Sequence, residues 1–368
     1  MSKIGIIGTG KFGYSFGKIL LKEYEVIFSD KNDKVVKTLS KEINITGNNT
    51  LLIENSDVIF VCVDTPITND KEYNTIQISH IVDDFIECFK NEVSINGKTL
   101  IITSTVNPYT TKVVQERLSA YGVQVAYLPT FIEYTNITNE ILNTSFLLLG
   151  NSNHEITSLI SNIFTKVLDT PVRIQQMGYT SSELTKIMID CFSTVQKTFV
   201  NTFKDMFDNM SLSHEFTMAS DTLNKDFKKG NSFISNGRPF DGPNISNVNF
   251  VVTNLLEQQE LSGELFNTVT EINNSRIDNI VIKYTKENPN KEIPFIIDGI
   301  TYLKDSNIVS NSSSIDLCSK LLELGYSINI IESDNVIRQM SLSFNDSYPN
   351  KVKFFKKGLN PEGYKIKF

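Results

Sequence analysis

Ile4-Gly5-Ile6-Ile7-Gly8-Thr9-Gly10-Lys11-Phe12-Gly13 is the stretch that decides how this chain is read. An apolar run of strand length stops at a glycine and passes, through G-x-G-x-x-G, into residues with helical spacing. Gly8 permits a tight turn, Gly10 lets a backbone approach a pyrophosphate, and Gly13 lets helix and strand pack closely. Free amides at the helix start offer a partly positive end to phosphate oxygens. A second strand, Glu25–Ser29, ends beside Asp30. A carboxylate there accepts hydrogen bonds from the adenosine ribose and repels a 2′-phosphate. The pattern is that of an N-terminal Rossmann domain holding NAD, with Lys31 and Lys34 near enough to Asp30 to leave NADP open.

Outward from this turn, strand-like runs alternate with helical stretches. Val58–Val63, Thr99–Thr103, Gln124–Tyr127 and Ser145–Leu149 read as further strands of a parallel sheet covered on both faces. A different regime begins at Thr180, which forms a capping-box pattern with Glu183. Apolar residues then recur at three- and four-residue intervals from Leu184 to Phe207, predicting a helix of roughly 28 residues. Such a helix is either a core helix buried along one stripe or a spine that also pairs with a second subunit. Residues 208–245 turn polar and glycine-rich, which is loop chemistry. Helical spacing resumes over Val251–Val281, and from Pro294 strand–helix alternation returns. The tail beyond Asn345 interleaves lysines with aromatics and reads as a strand pair at a domain edge. The divisions expected are 1–178 (Rossmann), 179–285 (central, helical) and 286–368 (a C-terminal Rossmann-like α/β domain).

Composition excludes several classes. The 368 residues carry a net charge of −7, against broad binding to nucleic acid or anionic membrane. No apolar run approaches the ~18–20 residues that span a bilayer. Four scattered cysteines without a CxxC, and three histidines without ligand spacing, argue for reduced thiols in a cytoplasmic protein and against a metal site.

Several segments together resemble the UDP-glucose/GDP-mannose dehydrogenase family. Val61-Cys62-Val63-Asp64-Thr65-Pro66 is similar to the family's strand ending in Thr-Pro. Ser104-Thr105-Val106-Asn107-Pro108-Tyr109-Thr110-Thr111 resembles Ser-Thr-Val-Pro-Pro-Gly-Thr-Thr. Ser182-Glu183-Leu184-Thr185-Lys186 resembles Ala-Glu-Leu-x-Lys, and Tyr302-Leu303-Lys304-Asp305 the lysine segment of the third domain. The resemblance implies an NAD-dependent oxidation of a nucleotide-sugar CH2OH to carboxylate, through a cysteine thioester, in a homodimer. It implies NAD contacts from Gly8, Gly10, Phe12, Gly13, Asp30, Lys34, Thr65 and Thr105. It further implies Lys186, Asp190, Gly242 and Lys304 as substrate-side residues, with Lys186, Asp190 and Thr105 as the expected catalytic ones.

The departures from the family pattern are chemical. Asn244 stands where the nucleophilic cysteine belongs, Thr130 where the acid/base glutamate belongs, and Asn311 where an arginine belongs. The asparagine one turn after the lysine has become Asp190. An amide is no nucleophile, so no thioester forms at position 244. Lys186 and Asp190 share a helix face, as a catalytic pair or as an ordinary i,i+4 ion pair. Three activities fit: the full dehydrogenase, a one-step alcohol-to-aldehyde dehydrogenase, or a catalytically silent binder of NAD and nucleotide sugar. Lys225, Lys228 and Lys229 form a basic cluster, either a solvated loop or a diphosphate contact, and Arg238 invites the same reading.

Overall fold

The computed structural model describes residues 3–132, 136–151, 153–226, 237–242, 245–303 and 307–366. The chain divides into two compact units, Met1–Met188 and Ile189–Phe368.

The first unit opens with β1 (Lys3–Ile7), α1 (Lys11–Leu20), β2 (Glu25–Ser29), α2 (Asp33–Leu39), β3 (Ile45–Thr46) and α3 (Asn49–Glu54). It continues with β4 (Val58–Val61), α4 (Ile76–Lys90), β5 (Thr99–Ile102), α5 (Thr110–Ser119) and β6 (Gln124–Tyr127). Then come α6 (Ile137–Leu142), β7 (Phe146–Gly150), α7 (His154–Val167), β8 (Arg173–Met177) and α8 (Tyr179–Asn209). The strands form one sheet in the order β3-β2-β1-β4-β5-β6-β7-β8. Alternate side chains of each strand feed two separate cores. Ile4, Ile6, Val58 and Phe60 pack with Phe16 of α1, while Ile7, Ile59 and Val61 pack with Ile81 and Phe85 of α4. Burial on both faces explains why the strands read as unbroken apolar runs.

One expectation fails at the sheet's far side. β6 meets β7 antiparallel, so β7 and β8, parallel to each other, run against the other strands. A strand buried on both faces has the same apolar composition in either direction, so the sequence pattern carries no sign of the reversal.

The second unit takes the rest of α8 and adds α9 (Phe216–Asp226), α10 (Val248–Gln258) and α11 (Glu264–Glu287). β9 (Phe295–Asp298), α12 (Ser313–Glu323), β10 (Ile328–Glu332), α13 (Asp334–Ser347), β11 (Val352–Lys356) and β12 (Tyr364–Lys365) follow. Its sheet is parallel, in the order β11-β10-β9-β12, and its core joins Ile277, Val281 and Tyr284 of α11 to Phe295, Ile297 and Ile330. The two tail strands therefore lie on opposite edges and do not pair with each other. Each finds a parallel partner already in place, which an aromatic-lysine alternation cannot specify. The stretch expected as loop contains α9, because Phe216 sets its ring 5.6 Å from that of Phe207 and gives a polar helix an anchor. The expected helix over Val251–Val281 is two helices. At the start of the second, Gly263 lies so close to Thr253 that an added Cβ would come within 2.6 Å of the threonine methyl.

Within the second unit α8 has two dissimilar faces. Cys191, Thr194, Thr198 and Asn201 are buried, and Thr194 donates to Asn249 Oδ1 (2.9 Å), whose amide donates to Thr270 Oγ1 (3.1 Å). Phe192, Phe199, Phe203, Met206 and Met210 are exposed, Phe199 at 53%. The apolar periodicity read from the sequence is thus largely an outward stripe.

Glu183 does not serve the start of its own helix, as the capping-box pattern suggested. Its carboxylate, wholly buried, reaches α5, accepting the amides of Tyr109 (2.7 Å) and Thr111 (2.7 Å). Burial raises its pKa above the ordinary carboxylate range, against the opposing effect of those donors. Two predictions follow from this packing. Glu183→Ala leaves the buried Thr111 amide and the part-buried Tyr109 amide without their acceptor and should lower unfolding stability by roughly 1–3 kcal/mol, read by urea denaturation. Gly17→Ala, a change that ordinarily favours a helix by about 1 kcal/mol, should here be destabilising by about 1–3 kcal/mol. The added methyl would lie 2.1 Å from the Phe28 ring.

Candidate functional site

The turn between β1 and α1 is built as its glycines require. Gly8 has φ +93°, and a Cβ there would strike the Cys62 carbonyl oxygen at 2.7 Å. A Cβ at Gly13 would lie 2.0 Å from the Gly8 carbonyl oxygen, so the helix can approach the strand only with glycine at that point. At Gly10 an added Cβ would meet nothing within 4 Å. That open side is where a backbone can receive a phosphate. Phe12 packs instead into the core beneath, its ring 5.4 Å from Phe16.

A cavity of about 430 Å³ opens from this turn, lined by Gly8, Thr9, Gly10 and Asp30 on one side and Val63, Asp64, Gln77, His80 and Ile81 on the other. Lys31, Asn32, Val35 and Asn49 complete its outer end. Asp30 Oδ2 accepts the Thr9 amide (2.9 Å) and hydroxyl (2.8 Å), which locks the turn to the end of β2. Asn49 is fixed from both sides, accepting from Ser29 Oγ (2.7 Å) and donating to Asp84 (2.8 Å). An open glycine turn, a carboxylate at the strand end and an adjoining cavity of this volume fit a dinucleotide. Of the residues expected to hold it, Gly8, Gly10 and Asp30 line the cavity, and Gly13 shapes it from below. Lys34 is exposed on α2 and outside the lining; its neighbour Lys31 takes that place.

Thr65 and Thr105 are brought together, Thr65 Oγ1 donating to the Thr105 carbonyl at 2.6 Å. The Asn107 amide ties the same two loops a second time, accepting from Tyr73 N (2.9 Å) and donating to Tyr73 O (2.8 Å). Tyr109 then turns the chain into α5 at φ +73°, a left-handed conformation that costs a tyrosine of order 1 kcal/mol. The Glu183 carboxylate holds that corner. One turn further along α8, Lys186 is 5% exposed, with Nζ 4.9 Å over the Phe131 ring, beside half-buried Thr130. A cation over an aromatic face in a dry setting is held electrostatically. Asp190, one turn on, is 8% exposed.

In the second unit Gly242 has φ +91° and rests against Tyr302, whose ring an added Cβ would overlap at 2.4 Å. Asn311 accepts the Gly242 amide through its carbonyl (2.8 Å) and donates to Ser246 Oγ (3.0 Å). Asp241 accepts from the amide and hydroxyl of Ser313 at the head of α12, and burial raises its pKa. Arg238 donates to Ser314 Oγ (2.9 Å). Arg276, buried, braces this loop through the Gly237 carbonyl and an ion pair with Asp205. Asn244, Lys304, Lys228 and Lys229 lie outside the described residues.

The thiols are all held in their neutral form. Burial pushes Cys62 up to about 12, Cys191 to about 12 and Cys88 to about 11, and raises Cys318 as well. Cys62 lines the cavity and receives a hydrogen bond from Thr103 Oγ1 (3.3 Å). Among the described residues no three His, Cys, Asp or Glu side chains gather as a metal site, and no helix is long and apolar enough to cross a membrane. Thr9, Asn49, Gln77 and His80 escaped the sequence reading. The one available signal was Gln77, His80 and Ile81 at helical spacing, which says nothing of which face meets a cavity.

Comparisons with known proteins agree with this geometry. Residues 40–168 match the NAD binding domain of the UDP-glucose/GDP-mannose dehydrogenase family, and residues 180–275 match its central domain. Residues 3–71 also match a family described as NADP oxidoreductase, coenzyme F420-dependent. UDP-N-acetyl-D-mannosamine dehydrogenase of Methanococcus aeolicus is 24% identical over 369 residues, covering 90% of this chain and 78% of its own length. UDP-glucose 6-dehydrogenase TuaD of Bacillus subtilis is 20% identical, covering 88% and 74%. The solved structure of a UDP-glucose dehydrogenase from Pyrobaculum islandicum superposes with a TM-score of 0.84 at 15% identity, over 100% of this chain and 94% of that one. With an NAD-binding domain and a central domain of one family in sequence along it, this chain belongs to the UDP-glucose/GDP-mannose dehydrogenase family.

Proposed function

We propose that the protein oxidises the primary alcohol of a nucleotide sugar with NAD and stops at the aldehyde. The observation that carries this reading is Lys186, buried at 5% over the Phe131 ring on the same helix face as Asp190. NAD, when bound, supplies the hydride acceptor. The alcohol carbon gives up a hydride and the hydroxyl gives up a proton, leaving an aldehyde, NADH and one proton. Lys186 stabilises the developing negative charge on the alcohol oxygen, and Asp190 orients the ammonium and relays the proton. Thr105 stays on the cofactor side, held by Thr65 (2.6 Å).

In the family pattern the second oxidation passes through a covalent cysteine trap, and the chain supplies no ionised thiol for one; without it, that step would have to proceed on the hydrated aldehyde. Asn244 offers an amide, and the four thiols are raised by burial. Gly242, backed by Tyr302, and Lys304 contribute to the sugar and diphosphate side. The functional division is into residues 1–178, 179–285 and 286–368, and the exposed stripe from Phe192 to Met210 joins two copies as a homodimer. A second reading, a binder of NAD and nucleotide sugar without turnover, is favoured by Thr130 in place of the glutamate.

A stoichiometric NADH assay on UDP- and GDP-linked hexoses and their N-acetyl relatives separates the readings. One NADH per sugar with a trappable aldehyde is expected; two would show complete oxidation, and binding without NADH would show the silent form. Lys186→Ala should lower turnover by roughly 10²–10³-fold, the scale for losing one oxyanion donor. In iodoacetamide at neutral pH, intact-mass analysis should find native cysteines unalkylated while the unfolded chain reacts. A rapidly labelled native cysteine would reopen covalent capture.

A further inference from the structure

Asp30 accepts three hydrogen bonds from its own chain. Oδ2 takes both the amide and the hydroxyl of Thr9, at 2.9 and 2.8 Å, and Oδ1 takes the Asn32 amide at 2.9 Å. A carboxylate offers about four acceptor sites, two on each oxygen. Oδ2 is therefore filled, and Oδ1 keeps one site. Thr9 is only 6% exposed, so water does not readily compete for its hydroxyl. The cavity runs along this edge, past Thr9, Asp30, Lys31 and Asn32.

We propose that Thr9 is a specificity-determining residue of the NAD site: by filling one oxygen of Asp30, it restricts the carboxylate to one of the two adenosine ribose hydroxyls. The residue at this position of a glycine-rich turn contributes its amide in any sequence. What the threonine side chain adds is the hydroxyl, which takes the second lone pair of the same oxygen. The other ribose hydroxyl would then have no acceptor on Asp30, and its removal would cost little. The inference concerns the NAD-binding turn and not the reaction proposed above, so the two fail separately.

Calorimetric titration of the wild-type protein with NAD and with its 2′-deoxy and 3′-deoxy adenosine-side analogues tests it. One analogue should bind within about twofold of NAD and the other at least tenfold more weakly. Thr9→Val keeps the amide and the branched shape but frees a lone pair. Both analogues should then bind several-fold more weakly than NAD, because the second hydroxyl gains an acceptor. Thr9→Ser, which retains the donor, should reproduce the wild-type pattern. Equal weakening of both analogues in the wild type, or weakening of neither, overturns the proposal. So does a Thr9→Val protein that keeps the wild-type pattern, or one that folds with unchanged melting temperature yet no longer binds NAD.

Discussion

The approach of α1 to β1 rests on a contact with no room for a methyl group. The Gly13 α-carbon is pressed against the Gly8 carbonyl, and Gly8 in turn against the carbonyl of Cys62 at the end of β4. With side chains at either place, α1 could not descend onto the sheet with Phe16 between Phe60 and Phe164, whose ring centroids lie 5.0 and 5.8 Å away. The same closeness leaves the Gly10 side of the turn open. Core packing and ligand access are thus two results of one backbone geometry, and Asp30 locks it by holding Thr9.

A second organising element is the loop from Thr103 to Thr111. It follows β5, where open α/β sheets place their ligands beyond the carboxyl ends of the strands. Thr65 and Asn107 tie it to the loop after β4, and Glu183 ties it to α8. Lys186 lies one turn beyond Glu183, so the buried carboxylate fixes the helix that carries the lysine as well as the corner at Tyr109. Tyrosine adopts a left-handed conformation there because its amide and that of Thr111 are both received by one carboxylate. Receiving these two amides, that of Thr111 buried, offsets a backbone cost of order 1 kcal/mol.

In the second unit part-buried Asp241 and buried Arg276 have polar partners, while α8 turns an apolar stripe outward. Asp241 heads α12, and Arg276 braces the 237–242 segment, each with partners from its own unit. Along α8, buried threonine and asparagine side chains form a hydrogen-bonded seam, and phenylalanine and methionine face outward. A helix that turns an apolar stripe outward is suited to a further partner, the basis for the dimer proposed above.

Legible in the residues alone were the nucleotide-binding turn, the strand–helix alternation on either side of a long helix, and the asparagine at position 244. Those are local facts: glycine spacing, apolar period and residue identity need no distant partner. Tertiary structure alone decided the direction of β7, the helix within the polar stretch after 208, the separation of the two tail strands and the partner of Glu183. Each depends on which distant group fills a lone pair or a core position, as Phe207 does for Phe216 and the amides of α5 do for Glu183. The cavity wall from Gln77 to Ile81 belongs here too, since a helical period gives a face its composition but only packing gives it a neighbour.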